Sequence, residues 1–117
     1  MDAPDELALV VKALNSGLGG CVEWDHKVVD RVRDEMFAFG LSPDSIKAAL
    51  IAFAQASGKI HQVKEQKNEW KRHRDYYYKA ILPVPNVFNK GLFVELELTN
   101  TDLDYPEVRL VNAHEQK

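Results

Sequence analysis

The 117-residue sequence contains a single cysteine, Cys21, so an internal disulfide is excluded and no cysteine cluster is available for a metal. It also lacks an apolar run of the ~18 residues that a membrane-spanning helix needs. The amino-terminal stretch MDAPDELALVV carries acidic residues where a secretory signal carries basic ones. These absences predict a cytoplasmic protein without a membrane partner.

The sequence also lacks the spacings typical of metal and nucleotide sites. Its histidines show neither an H-x3-H nor an HExxH spacing. The stretch GLGG follows a predicted helix rather than a strand, and it lacks the lysine of a phosphate-binding loop. We therefore expect no metal site and no cofactor.

Charge is distributed unevenly, although the net value is only −3. Residues 1–58 carry five bases and nine acids (net −4), residues 59–79 carry seven bases and three acids (net +4), and residues 80–117 carry three bases and six acids (net −3). A local basic patch of this kind suits a phosphate-containing partner. The alternative is a solvated strand that bears ordinary surface charge.

Three helices are predicted in the first half of the chain, at residues 4–16, 25–39 and 43 to about 58. Gly40 is suited to a left-handed position at the end of the second helix. Ser42 is expected to cap the third helix, with Pro43 in its first position.

After Gly58 the hydrophobic period changes from 3.6 to 2, which predicts strands. The strands are expected at residues 59–66, 70–82, 91–98 and 107–115, with PVPNVFNKG (83–91) as a loop. Alternation in the last strand places Asn112 and His114 on the face of Val108 and Leu110, and Ala113 on the other. The predicted fold class is α+β: about three N-terminal helices (1–58) pack on a C-terminal antiparallel sheet of about four strands (59–117), in one domain of residues 1–117.

Residues 70–80, WKRHRDYYYKA, combine basic side chains with three consecutive tyrosines. Arginine provides a planar fork for phosphate oxygens, and tyrosine provides a ring on which an unpaired base can stack. The segment therefore predicts a surface for single-stranded RNA, with Lys71, Arg72 and Lys79 as binding residues. The alternative is that the tyrosines are half-buried packing residues and the bases only solubilise a sheet face.

Metal-free RNA cleavage needs a proton acceptor for the 2′-hydroxyl, a proton donor for the leaving 5′-oxygen and a cation for the phosphorane. His73, His114 or Lys64 could transfer the protons, and Arg74 could hold the phosphate.

The order of these segments resembles the small toxin domains of the RelE-like ribonuclease superfamily, in particular its MqsR-like and BrnT-like members. The segments that carry the resemblance are DHKVVDRVRDEMFAFGLSPDSIKAAL, the basic hairpin KIHQVKEQ…RDYYYKAIL, GLFVELEL and EVRLVNAHE. The resemblance implies metal-independent cleavage of mRNA and a cognate antitoxin that inhibits the enzyme.

By this resemblance, RDYYY would supply Arg74 and a tyrosine, Tyr76 or Tyr78, while Lys64 and His114 would come from the first and last strands. Two features depart from the family pattern. The chain is acidic overall, whereas many ribosome-dependent members are strongly basic. The helix at 4–16 and the loop at 83–91 are not part of the usual minimal domain.

The alternative function is a non-enzymatic interaction module, such as an immunity protein, an antitoxin or a phage-encoded inhibitor. Its acidic helical half would then be the partner surface, and its tyrosines would anchor an interface. A homodimer is left open. Geometry separates the two hypotheses: an enzyme brings Arg74, a tyrosine and His114 into one shallow basic cleft, whereas a binding module leaves them dispersed or presents its tyrosines on a flat exposed patch.

Overall fold

The computed structural model describes residues 5–16, 21–64 and 76–117. The helices are α1 (Glu6–Ser16), α2 (Val29–Met36) and α3 (Pro43–Gln55), with a 3-10 turn at Phe37–Phe39 directly after α2. The strands are β1 (Val22–Trp24), β2 (His61–Lys64), β3 (Tyr76–Val84), β4 (Phe88–Asn100) and β5 (Glu107–Glu115). The predicted α+β class is confirmed, but the sheet has five strands rather than four.

The five strands form one sheet in the order β1-β5-β4-β3-β2. Strands β2 to β5 make the antiparallel meander that the sequence predicts. Strand β1 was missed, and it pairs in parallel with β5, with Val22 opposite Val108. Its three residues are too few for a period-2 pattern, so only the pairing with a strand about 85 residues later defines it.

Local signals place the start of α3 where the sequence predicts it. Ser42 Oγ accepts a hydrogen bond from the Ser45 backbone N–H, and Ser45 Oγ accepts one from the Ser42 N–H, which forms a capping box. Gly40 adopts φ 74°, as expected for the left-handed residue that ends the preceding turn.

The predicted start of the second helix and the predicted loop at 83–91 are wrong. The second helix begins at Val29 rather than at residue 25, because residues 25–28 form a turn in which Asp25 Oδ1 accepts a hydrogen bond from the Lys27 N–H. The predicted loop at 83–91 is mostly strand, and only residues 85–87 separate β3 from β4. Pro83 is accommodated within β3 at a register shift between Leu82 and Val84.

The helices cover one face of the sheet, which we call the inner face, and the core lies between them. Buried side chains of all three helices cluster with alternate residues of the strands: Tyr78, Ala80 and Leu82 on β3, Leu92, Val94 and Leu96 on β4, and Val108, Leu110 and Ala113 on β5. The opposite face of the sheet is the outer face.

The predicted facing of β5 is wrong beyond Leu110. Leu110 pairs with Leu96, but Glu95 pairs with Asn112, so Val111 is an extra residue and forms a β-bulge. The bulge shifts the alternation by one residue, which buries Ala113 in the core and places His114 opposite Phe93 on the outer face.

No single described helix is long and apolar enough to cross a membrane. The segments Val29–Phe39 and Pro43–Gln55 have the length and apolar composition of a membrane span only when they are added together. A bend of 87° separates them.

Candidate functional site

Four of the predicted site residues, Lys71, Arg72, His73 and Arg74, lie outside the described residues. The end of the predicted strand at 59–66, the start of the predicted strand at 70–82 and the hairpin turn expected between them near Asn68 lie there too. The five other predicted site residues, Lys64, Tyr76, Tyr78, Lys79 and His114, are described.

Tyr78 is a core residue that is only 1% exposed. Its hydroxyl donates a hydrogen bond to Glu6 Oε2 over 3.1 Å. Burial, followed by the nearby Glu6 carboxylate, raises the pKa of Tyr78 far above its ordinary value of 10.0. A buried phenol that holds its proton this firmly and has a fixed acceptor has no access to a nucleic-acid phosphate, so we leave Tyr78 out of the candidate site.

Tyr76 and Lys64 lie opposite each other, where β2 pairs with β3. Tyr76 lies on the inner face with Tyr78 and packs half-buried against the core. Lys64 is exposed at the end of the edge strand β2. Both residues therefore flank the segment 65–75, which connects β2 to β3.

Lys79 lies on the outer face of the sheet, half-buried, between His61 of β2 and Glu95 of β4. Two residues further along β4 on the same face, Glu97 pairs with Arg109 of β5. The antiparallel register of β3 and β4 places Tyr77 on its other side. Cations and carboxylates thus alternate across this face, and a polyanion would meet acids as well as bases.

His114 is exposed on the outer face and stacks on Phe93, with ring centroids 4.6 Å apart and ring planes 20° apart. Its Nδ1 atom lies 2.9 Å from the backbone oxygen of Glu115. The bulge at Val111 produces this position, because without it His114 would face the inner side.

Lys64 and His114 cannot act on the same bond. They lie on opposite faces, with three strand spacings between them, or roughly 14 Å across the sheet. Lys64 is paired with Tyr76 of β3, whereas His114 is level with Ile81 of β3 through Phe93. The five residues from Tyr76 to Ile81 add roughly 17 Å along the strand. General acid–base catalysis needs its groups within hydrogen-bond reach of one substrate, so Lys64 and His114 do not belong to one catalytic cluster.

A different feature, which we call the aromatic groove, lies at the end of the sheet where β5 finishes. It is an open cleft of about 620 Å³ between the α2–3-10 segment and the last residues of the chain. Met36, Phe39 and Phe88 provide its apolar lining, and Phe39 contacts Phe88 with ring centroids 4.9 Å apart. Sequence analysis missed this groove because Phe39 and Phe88 are 49 positions apart.

The charged residues of the groove come from both of its sides. Glu35 is on α2, and Glu115 and Lys117 are on the carboxyl-terminal side. Arg31 fixes the helical side, because its guanidinium donates to Glu35 Oε2 over 2.9 Å and to Asn112 Oδ1 over 2.8 Å. The contact with Asn112 joins α2 to the residue that follows the β5 bulge.

Phe37 lies on the same 3-10 turn as Phe39, but it is not part of the groove lining. Its side chain is 82% exposed, and that of Phe39 is 48% exposed. The other large exposed apolar side chains of the described residues, Leu103 and Tyr105, lie in the connection between β4 and β5, at the opposite end of that hairpin.

Among the described residues, no group of three or more histidine, cysteine or acidic side chains is placed to hold a metal ion. No protein-family model matches the chain, and neither a curated protein nor a solved structure is significantly similar to it. The resemblance to RelE-like toxins therefore stays a prediction.

Proposed function

We propose that this protein is a non-enzymatic protein-binding module that uses the aromatic groove as its contact surface. The observation that carries the proposal is an exposed phenylalanine, Phe39, in the lining of an open apolar cleft, with a second one, Phe37, on the same turn. Exposed apolar groups clustered at a cleft are typical of sites that bind another protein.

The placement of the described proton-transfer candidates supports binding over catalysis. Tyr78 is buried and bonded to Glu6, and Lys64 and His114 lie on opposite faces of the sheet. This dispersion of the described candidates is the outcome expected of a binding module.

The apolar groove is tested with Nile red, a neutral dye whose fluorescence rises in apolar surroundings. We expect the wild type to bind the dye saturably and Phe39→Ser to lose most of the signal, because Phe39 forms part of the groove lining. Tyr105→Ser is the matched control, since it removes an exposed aromatic ring at the far end of the β4–β5 hairpin. Circular dichroism verifies that each variant is folded. An equal signal from Phe39→Ser and the wild type would contradict the proposal.

The second candidate function is the metal-independent, RNA-cleaving toxin of a toxin–antitoxin pair. The observation that favours it is that Lys64 and Lys79 lie near the two ends of the basic segment 65–75, which holds Lys71, Arg72, His73 and Arg74. In this hypothesis Arg74 holds the phosphate, and His73 and Lys64 transfer protons at the β2–β3 connection.

Induced expression in a bacterial host tests the second candidate. If the chain cleaves mRNA, the wild type arrests growth and depletes mRNA, while Arg74→Ala and His73→Ala do neither. Arg33→Ala is the matched control, because Arg33 is exposed on α2 and pairs with Asp30. Normal growth with intact mRNA in the wild type would reject the ribonuclease and leave the binding module.

A further inference from the structure

We infer that α2 and its 3-10 turn, residues Val29–Phe39, form a gate at the aromatic groove. This gate segment moves away from the sheet as one unit, and the hydrogen bond from Arg31 to Asn112 is the latch that holds it closed. The segment supplies the helical side of the groove lining: Glu35, Met36 and Phe39. The inference goes beyond the proposed function, because it concerns one wall of the groove and holds whatever partner the groove takes.

The gate segment is anchored to the core by few side chains. Val32 and Met36 are the two buried side chains of α2, whereas α1 and α3 each bury four. The 3-10 turn buries none. Elements that bury few apolar side chains open at a lower free energy than the core of a protein.

Local signals also leave α2 less stable than the other two helices. It has eight residues, and its N-cap residue, Val28, forms no side-chain hydrogen bond. By contrast, Ser42 caps α3, and Asp5 Oδ1 accepts hydrogen bonds from the Leu7 and Ala8 N–H groups at the start of α1. A helix this short and without a cap is unstable alone. Its closed position therefore depends on its contacts with the sheet.

One side-chain hydrogen bond links α2 to the sheet in the part of the chain that the structure describes. Arg31 Nη2 donates to Asn112 Oδ1 over 2.8 Å, and Arg31 Nη1 donates to Glu35 Oε2 within the helix. The other arginine of α2, Arg33, pairs with Asp30 of the same helix. The Arg31 side chain is 45% exposed, so water can replace the bond to Asn112 when it breaks. Arg31 therefore has the position and the access to solvent of a reversible latch.

The two ends of the gate segment are suited to act as hinges. At the first end, residues 25–28 form a turn that is fixed to the sheet, because the Asp25 N–H donates to the Leu110 carbonyl oxygen over 2.9 Å. At the second end, Gly40 has φ 74°, and a Cβ there would meet no atom within 4 Å. Glycine in open space absorbs backbone rotation at low cost, and residues at the ends of elements are typical hinges.

Opening of the gate changes what the groove presents. Phe39 meets Phe88 with ring centroids 4.9 Å apart, and this contact closes the segment against β4. In the closed state Met36 and Phe88 are each only 4% exposed. Movement of the segment away from the sheet separates the two rings and uncovers the apolar base of the groove. The gate therefore regulates access to that base.

Hydrogen–deuterium exchange of the full chain, followed by mass spectrometry without any ligand, tests the gate. We expect peptides that cover Val29–Phe39 to exchange faster than peptides that cover α1 and α3. Arg31→Ala should speed exchange of the gate segment roughly fivefold and leave α1 and α3 unchanged, because it removes the latch. Arg33→Ala is the matched control, since the ion pair that it removes lies within α2, and it should have a smaller effect.

Asn112→Ala removes the latch from the strand side and leaves Arg31 paired with Glu35. It should speed exchange of the gate segment as much as Arg31→Ala does. The double variant should exchange no faster than either single variant, since all three lose the same bond. Equal exchange of the three helices in the wild type, an unchanged gate segment in Arg31→Ala, or equal acceleration of all three helices would each overturn the inference. Because no ligand is added, these outcomes leave the proposed function to the Nile red experiment.

Discussion

The hydroxyl of Tyr78 donates a hydrogen bond to Oε2 of Glu6 over 3.1 Å, and this bond joins the first turn of α1 to strand β3. The two residues are 72 positions apart. A side chain that sequence analysis places in a ribonuclease site is therefore part of the connection between the helical layer and the sheet.

Tyr78→Phe should destabilise the fold while leaving its architecture unchanged. The substitution keeps the buried ring but removes the donor to a carboxylate, which costs about 1–2 kcal/mol. Urea unfolding followed by circular dichroism measures the change. Tyr105→Phe is the control, because Tyr105 is 66% exposed, and it should cost less. A stable Tyr78→Phe that loses a cellular activity would contradict the structural role.

Stability should fall at alkaline pH in a way that depends on Tyr78. Burial and the Glu6 carboxylate raise the pKa of Tyr78 in the folded state above its ordinary value of 10.0. Below pH ~10 both states keep the phenolic proton; above it only the unfolded state releases the proton, so the free energy of unfolding decreases. Urea midpoints between pH 8 and 11 should decline less steeply in Tyr78→Phe than in the wild type. Parallel curves would contradict the prediction.

Ser42→Ala should destabilise the protein by about 1 kcal/mol, because it removes the side chain that accepts from the Ser45 N–H. Ser45→Ala should cost less, since it leaves the N-cap in place and alanine favours a helix interior. Thermal and urea unfolding of the two variants give the comparison. An equal loss in both would mean that the reciprocal bond, rather than the N-cap, determines the stability of this helix end.

Gly91→Ala should be the more damaging of two glycine substitutions. Gly91 has φ +94°, and a Cβ there would lie 2.7 Å from the Leu82 carbonyl oxygen and 2.8 Å from Ile81 Cγ2. Backbone strain and this clash together cost roughly 2–4 kcal/mol. Gly40→Ala meets no atom within 4 Å and should cost about 1 kcal/mol from its left-handed φ alone. Urea unfolding should rank the two variants in this order.

Local sequence signals located most of the secondary structure. The Ser42–Pro43 start of α3, the Gly40 turn and the alternation of leucine with glutamate in β4 depend on neighbours within a few residues. Hydrogen bonds at a helix cap and the period of a strand are set by such neighbours, so they are visible in the sequence.

The candidate site was much less predictable. Alternation along β3 places Tyr76 and Tyr78 on one face, but it does not show whether that face packs against the helices. The bulge at Val111 reverses the facing of His114, and it is defined only by the pairing of β5 with β4. The predicted basic residues of 71–74 lie outside the described residues, so their part in a site stays a prediction.

The sequence by itself determined the α+β class, the order of the three helices before strands β2 to β5 and the concentration of positive charge at residues 59–79, because these follow from local spacing and composition. Only the tertiary structure decided that β1 joins the sheet, that Tyr78 is buried against Glu6, and that Phe39 meets Phe88 at an open groove. Each of these contacts joins residues tens of positions apart. Their formation depends on how the helices and strands pack, which local propensity does not encode.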